Sequence, residues 1–214
     1  MADAILYDYW RSSAAYRVLI ALNLKGIDYE QRIIDLSTGA QRSDEFRAIS
    51  PQGFVPLLEI DGRRLSQSLS ILVYLDQTRP EPLLMPRDAA DGAHVRAMAL
   101  AIACDVHPLN NLRVLKYLSH PLKVSEERKS AWYDHWIREG FAALETMAQP
   151  MAGQFLFGDT PTIADICLVP QMYNARHRSS VDLAEFPTLV RADSNAQIVE
   201  AFAAAHPSKQ DVPV

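Results

Sequence analysis

Apolar positions change their spacing several times along the first third of the chain. Ile5 to Trp10 (ILYDYW) is a short apolar and aromatic run of strand character. Beyond it Val18, Ala21, Leu22 and Lys25 recur at helical spacing, and Gly26 stands where a C-cap glycine belongs. YEQRIIDL (Tyr29 to Leu36) predicts a second strand, a polar STGAQRSD follows, and Glu45 to Ile49 is a short helical piece. Leu57 to Ile60 and Arg63 to Leu65 flank Asp61-Gly62, a tight-turn pair, and so predict a hairpin. Ser68 then opens a helix in which Leu69, Leu72, Val73 and Asp76 keep the i, i+3, i+4 rhythm. The order β-α-β, linking helix, β-β-α describes an α/β domain in which a crossover helix joins parallel strands and a hairpin closes the sheet.

The texture changes after Pro80. RPEPLLMPRDAADG, with three prolines, reads as a linker, and no convincing strand follows it. Asp91 to Leu118 is a helical stretch interrupted by Pro108. Ser125 to Met147 starts on a serine cap with Glu126 and Glu127 in the first turn, where acids suit the helix dipole. Thr162 and Asp165 have the form of a capping box, a folding role that accounts for both. Further helices are predicted over Pro187 to Asp193 and Asn195 to Ala205. The resulting plan is an α/β domain over 1–83, a linker over 84–90 and an all-α domain over 91–214, with no internal repeat.

Composition narrows the function classes. The 214 residues carry a net charge of −5, which argues against a general nucleic-acid binder. No apolar run approaches the roughly 20 residues that span a membrane, and MADAILYDYW lacks the basic start and long apolar stretch of a signal peptide. A cytoplasmic protein is expected. Cys104 and Cys167 form no C-x-x-C and sit in apolar helical patterns, so both are expected to be buried thiols. The histidines show no i, i+4 pair, and no metal site is expected.

Candidate chemistry begins at Ser12 and Ser13, where the first strand gives way to the first helix. A helix N-terminus favours an anion through its free N–H groups and its dipole. A serine there is equally a plain N-cap, and this stretch alone leaves both readings open.

A wider set of motifs resembles the zeta class of the glutathione transferase superfamily over nearly the whole length. SSAAYRV matches that class in its serines, in Tyr16, in Arg17 and in Val18, but Ala14 stands where the class usually has a cysteine. The Val55-Pro56 pair, the Gln67-Ser68 pair, CDVHPLNNLRVLKYL and GDTPTIADICLVPQ follow in the same order. The resemblance implies a thioredoxin-like N-terminal domain, a helical-bundle C-terminal domain, glutathione as cofactor and a homodimer.

It also implies roles for particular residues. Ser12 would stabilise the glutathione thiolate, with Ser13 as support or cap. Val55, before a cis Pro56, would pair with the cysteinyl part of glutathione. Gln67 and Ser68 would hold its γ-glutamyl carboxylate, and Gln41 would add a contact from a loop. His107, Asn111 and Arg113 are further implied contacts to glutathione or substrate. His107 as an interior histidine, Arg113 as a solvated or dimer-face charge and Gln41 as ordinary loop polarity remain open. Arg11, Arg113 and Arg176 would take substrate carboxylates, as suits a planar two-donor group. NARHRSSVDL leaves Arg178 as an alternative to Arg176.

The implied activity is cis–trans isomerisation of maleylacetoacetate, a small dicarboxylate enedione, to fumarylacetoacetate in tyrosine and phenylalanine breakdown. The thiolate would add to the cis double bond, giving an adduct with a rotatable bond, and elimination would return glutathione. Ala14 excludes any mechanism that needs a cysteine at that position. Isomerisation of maleylpyruvate in gentisate degradation, conventional glutathione conjugation, and glutathione or ligand binding without turnover are the alternatives.

Overall fold

The structure is a computed structural model that describes residues 2–210, which fall into two compact units: 2–83 together with 198–210, and 84–197. The sequence plan placed everything after residue 91 in the helical domain. In the structure, the segment 198–210 groups with the first unit.

The first unit holds β1 (Ala4–Asp8), α1 (Ser13–Leu24), β2 (Tyr29–Ile33), α2 (Asp44–Ile49), β3 (Leu57–Ile60), β4 (Arg63–Ser66), α3 (Ser68–Thr78) and α9 (Glu200–Ala205). The sheet order is β2-β1-β3-β4. β1 runs parallel to β2, with Ala4 opposite Tyr29, and antiparallel to β3, with Leu6 opposite Leu58. The hairpin turns on Asp61 (φ 52°) and Gly62 (φ 70°), both left-handed as a two-residue turn of the primed type requires. Asp61 also accepts hydrogen bonds from Tyr74 and Arg79 at the far end of α3, and the Arg79 bonds, the largest cause, hold its carboxyl below the usual range. As one of the two inner strands, β1 is largely buried on both faces. Tyr7 and Tyr9 pack with Phe46, Val55 and Leu57.

α1 is buried from Ala15 to Leu22 because α3 and α9 both pack on it. Each fully buried Leu or Ile there contributes about 1.5–3 kcal/mol. Its C-terminus closes as expected, with Gly26 left-handed (φ 61°) and the Ile27 amide donating back to the Leu22 carbonyl. Lys25 and Asp76, both read as members of apolar stripes, meet in a buried ion pair at 2.8 Å. Asn23 donates to the Ala201 carbonyl and Tyr16 sets its ring edge-on to His206, which ties the C-terminal segment to α1.

The second unit holds α4 (Ala89–Leu100), α5 (Leu112–Ser119), α6 (Glu126–Ala148), α7 (Ile163–Arg178) and α8 (Pro187–Gln197). α7 is buried without interruption from Ile163 to Gln171, the pattern of a central helix. Its capping box forms as predicted: Asp165 accepts from the Thr162 amide and hydroxyl, and also from the Leu156 amide. Glu145 of α6 caps α8 from outside by accepting from the Thr188 and Leu189 amides. The break between the last two helices falls at Ile198-Val199 rather than near Ser194.

A second expectation fails in this unit. Cys167 is buried, but Cys104 is exposed. Residues Ala101–Val106 form a π-helical turn rather than a continuation of α4. The widened turn keeps Ile102 and Val106 inside and carries Cys104 and Asp105 outward. Among the described residues, no helix is long and apolar enough to cross a membrane.

The Asp165 carboxyl is fully buried, and burial raises it from 3.8 to about 6 against the pull of its donors. The folded state therefore keeps a proton that the unfolded chain has released. The corresponding stability is complete below the unfolded value and is lost as pH rises through the folded one. The unfolding free energy of wild type minus that of Asp165→Asn is expected to fall by about 2 kcal/mol from about pH 4 to about pH 7. Denaturant titrations across that range check it, and a flat difference contradicts it.

Candidate active site

β1 ends at Asp8, two residues before the predicted boundary, because the Tyr9 carbonyl accepts from the Ser12 amide at 2.7 Å and turns the chain. Ser12 is then extended (φ −83°, ψ 109°) and its Oγ accepts from the Ala15 amide at 3.2 Å. The serine is thus the N-cap of α1. Capping uses a lone pair of the oxygen and leaves the hydroxyl proton to donate, so the cap and anion-site readings describe one geometry. Ser13 is buried in the first turn and Ala14 follows, half-buried. Arg11 is exposed, with its guanidinium 4.3 Å from the centre of the Trp10 ring. That stacking restricts where its charge points.

Two further segments of the first unit carry predicted residues. The Val55–Pro56 bond is cis, as expected. Val55 lies just before β3, and neither its N–H nor its C=O is hydrogen-bonded among the described residues. A backbone in that state can take an extended peptide as an added strand. Gln67 precedes α3 at φ 67°, ψ 112°, a conformation that costs a residue with a side chain about 1–3 kcal/mol. Its side chain donates to Gln52 Oε1 at 2.8 Å and does not cap α3. The first-turn amides of α3 therefore lack the side-chain acceptor that Ser12 supplies to α1. Ser68, the first residue of α3, is buried and accepts from Arg17 Nη1 at 3.3 Å. Gln41 lies in a short 3-10 turn with its Oε1 buried and unpartnered. Gly53 (φ 63°) lets the chain pass close by, since a Cβ there would stand 2.7 Å from the Gln41 carbonyl oxygen.

In the second unit, Pro108 ends the helical path as predicted, just beyond the π turn. Asn111 caps α5 by accepting from the Arg113 amide, and its Nδ2 lies 3.2 Å from His107 Nε2. The turn is held to α6 by Trp132, which donates to the Leu109 carbonyl, and by Asn110, which donates to the Tyr133 carbonyl. Burial pushes the Tyr133 hydroxyl up to about 12, with Arg178 opposing. His107 and Asn111 are thus brought together, and Arg113 is exposed in the first turn of α5. Arg176 and Arg178 are both exposed near the end of α7, and Arg176 Nη2 meets the buried Asp193 carboxylate at 2.5 Å.

The chain matches the N-terminal domain model of glutathione S-transferases over residues 6–83 and the C-terminal domain model over 130–204. The chain belongs to the glutathione S-transferase family. A probable maleylacetoacetate isomerase of Vibrio cholerae is 47% identical over 98% of both chains. The holo structure of a maleylpyruvate isomerase, a bacterial zeta-class glutathione S-transferase, superposes with TM-score 0.94 at 40% identity, covering 98% of this chain and 100% of that one. A maleylacetoacetate isomerase from Anaeromyxobacter dehalogenans with glutathione bound in its active site superposes with TM-score 0.88 at 43% identity, covering 98% of both. The zeta-class likeness carried by SSAAYRV therefore extends along the whole glutathione S-transferase chain.

Sequence reasoning gave no role of their own to Gln52, which holds Gln67, or to Arg17, which holds Ser68. The signal for Arg17 was an arginine inside the apolar run YRVLIAL.

Because Ser12 caps α1, Ser12→Ala is expected to lower stability by about 1 kcal/mol, and Ser12→Asn to restore most of it. Urea unfolding of the two variants checks this. Equal losses in both would remove capping as the role of the oxygen lone pair.

Proposed function

We propose that the chain is a glutathione-dependent cis–trans isomerase that converts maleylacetoacetate to fumarylacetoacetate, a step in tyrosine and phenylalanine breakdown. The observation that carries the reading is the pair of helix starts in the first unit. α1 presents a capping serine with a proton to donate, and α3 presents uncapped amides beside a buried serine and arginine. With the unpaired Val55 backbone, this donor set fits glutathione, which offers one thiol, one γ-glutamyl carboxylate and one extended peptide. The names of the relatives and the glutathione held by the Anaeromyxobacter dehalogenans enzyme support the same reading.

Bound glutathione supplies a nucleophilic thiolate that adds reversibly to a cis double bond and is regenerated. Ser12 and the first-turn amides of α1 favour the ionised sulfur and lower its pKa. Val55 aligns the cysteinyl backbone, Gln67 and Ser68 hold the γ-glutamyl carboxylate, and Ser13 and Gln41 support the loops around them. His107, Asn111 and Arg113 serve as further contacts to glutathione or substrate. Arg11, Arg113 and Arg176 orient substrate carboxylates and stabilise developing negative charge. Asp193 fixes Arg176 through one nitrogen of the guanidinium, leaving other donors of the fork for a carboxylate. With alanine at position 14, no protein thiol at that place takes part. A cytoplasmic homodimer completes the proposal.

Maleylpyruvate is the second substrate considered, favoured by the TM-score of 0.94 to the maleylpyruvate isomerase. The purified protein is expected to convert maleylacetone, a shorter enedione, to its trans isomer only when glutathione is present, with total thiol unchanged. Ser12→Ala is expected to lower kcat/KM about 100-fold. A larger kcat/KM for maleylpyruvate than for maleylacetone would select the second substrate. Loss of thiol during turnover would show conjugation and overturn the isomerase reading.

A further inference from the structure

α1 and its C-cap residue Lys25 carry two buried cationic side chains into the packing with α3, and α3 offers one buried acid. Lys25 takes that acid, Asp76, at 2.8 Å. Arg17 is 2% exposed, and no carboxylate pairs with it among the described residues. Its Nη1 donates to Ser68 Oγ at 3.3 Å, while Nε and Nη2 make no hydrogen bond to any described residue. Burying a guanidinium without a counter-charge is strongly unfavourable. This unbalanced positive charge lies behind Ser68, the buried serine at the uncapped start of α3, where the helix dipole adds to its field. By donating to the Ser68 oxygen, Arg17 also turns the serine's own proton away from itself.

We propose that Arg17 is a positioning residue: it orients the Ser68 hydroxyl and supplies the buried counter-charge for the γ-glutamyl α-carboxylate of glutathione. This rests on the glutathione reading above and adds a residue that does not touch the ligand. Arg17 acts on that carboxylate through Ser68 and through the field at the start of α3, not on the thiol.

The test compares glutathione with γ-aminobutyryl-cysteinylglycine, the same peptide without that carboxylate. Dissociation constants are measured by calorimetry for wild type, Arg17→Gln, Arg17→Met and Arg17→Lys, with folding checked by thermal melts. Arg17→Gln and Arg17→Met are expected to weaken glutathione about tenfold or more and to change binding of the analogue by less than about twofold. Arg17→Lys is expected to recover part of the loss. Saturating glutathione is expected to restore kcat, so the effect lies in KM.

Equal weakening of both ligands, or unchanged glutathione binding in a folded variant, overturns the proposal. In the unaltered protein, the Arg17 side-chain N–H resonances are expected to shift when glutathione binds and to stay in place with the analogue. Equal shifts overturn the proposal even where no variant folds. A wild type that binds neither ligand overturns the glutathione reading instead.

Discussion

The first amides of an α-helix have no carbonyl within the helix to receive them, and the proposed chemistry is arranged around that deficit. At most of the longer helix starts a side chain fills it. Ser125 serves α6, Asp88 serves α4, the Thr162 box serves α7, and Glu145 serves α8 from another helix. Ser12 fills it at α1 with a hydroxyl that retains a proton to give, so one oxygen stabilises the helix and can also stabilise an anion. At α3 no side chain fills it, and Gln67 is held in a left-handed conformation just before the uncapped amides. Strain at such a residue persists only where the surroundings over-determine it, and here the Gln52 bond is part of that support.

Buried charge follows the same logic. Lys25 and Asp76 neutralise each other where α1 meets α3, and removing either alone would leave a buried charge, typically at about 3–5 kcal/mol. Arg17 has only a serine. A fold that satisfies one buried cation fully and leaves the other to a neutral hydroxyl places positive potential at a chosen point, the start of α3.

The repeating features of the fold were legible in the sequence. Strand alternation, helical spacing, the Asp61-Gly62 turn, the Thr162–Asp165 box and the Gly26 stop each rest on a local rule, and each appears within a few residues of its predicted place. What escaped depends on contacts between distant segments. The π turn at 101–106 answers to packing of Ile102 and Val106, so Cys104 could not be placed by a 3.6-residue rhythm. Association of α9 with α1 is fixed by the Asn23–Ala201 bond and by Tyr16 against His206, which no periodicity announces. Within the site, Ser12 and Ser68 were legible from their positions before helices. The partners that hold Ser68 and Gln67 were not, because Arg17 lies 51 residues from Ser68 and Gln52 lies 15 from Gln67.

The central claim is that the start of α1, with the Ser12 hydroxyl, favours an ionised thiol. The most direct measurement is a titration of thiolate absorbance for glutathione bound to the protein. The account predicts a bound thiol pKa about two units below the roughly 8.5 of an ordinary cysteine thiol, with most of the drop lost in Ser12→Ala. A bound thiol that titrates where free glutathione does would contradict it.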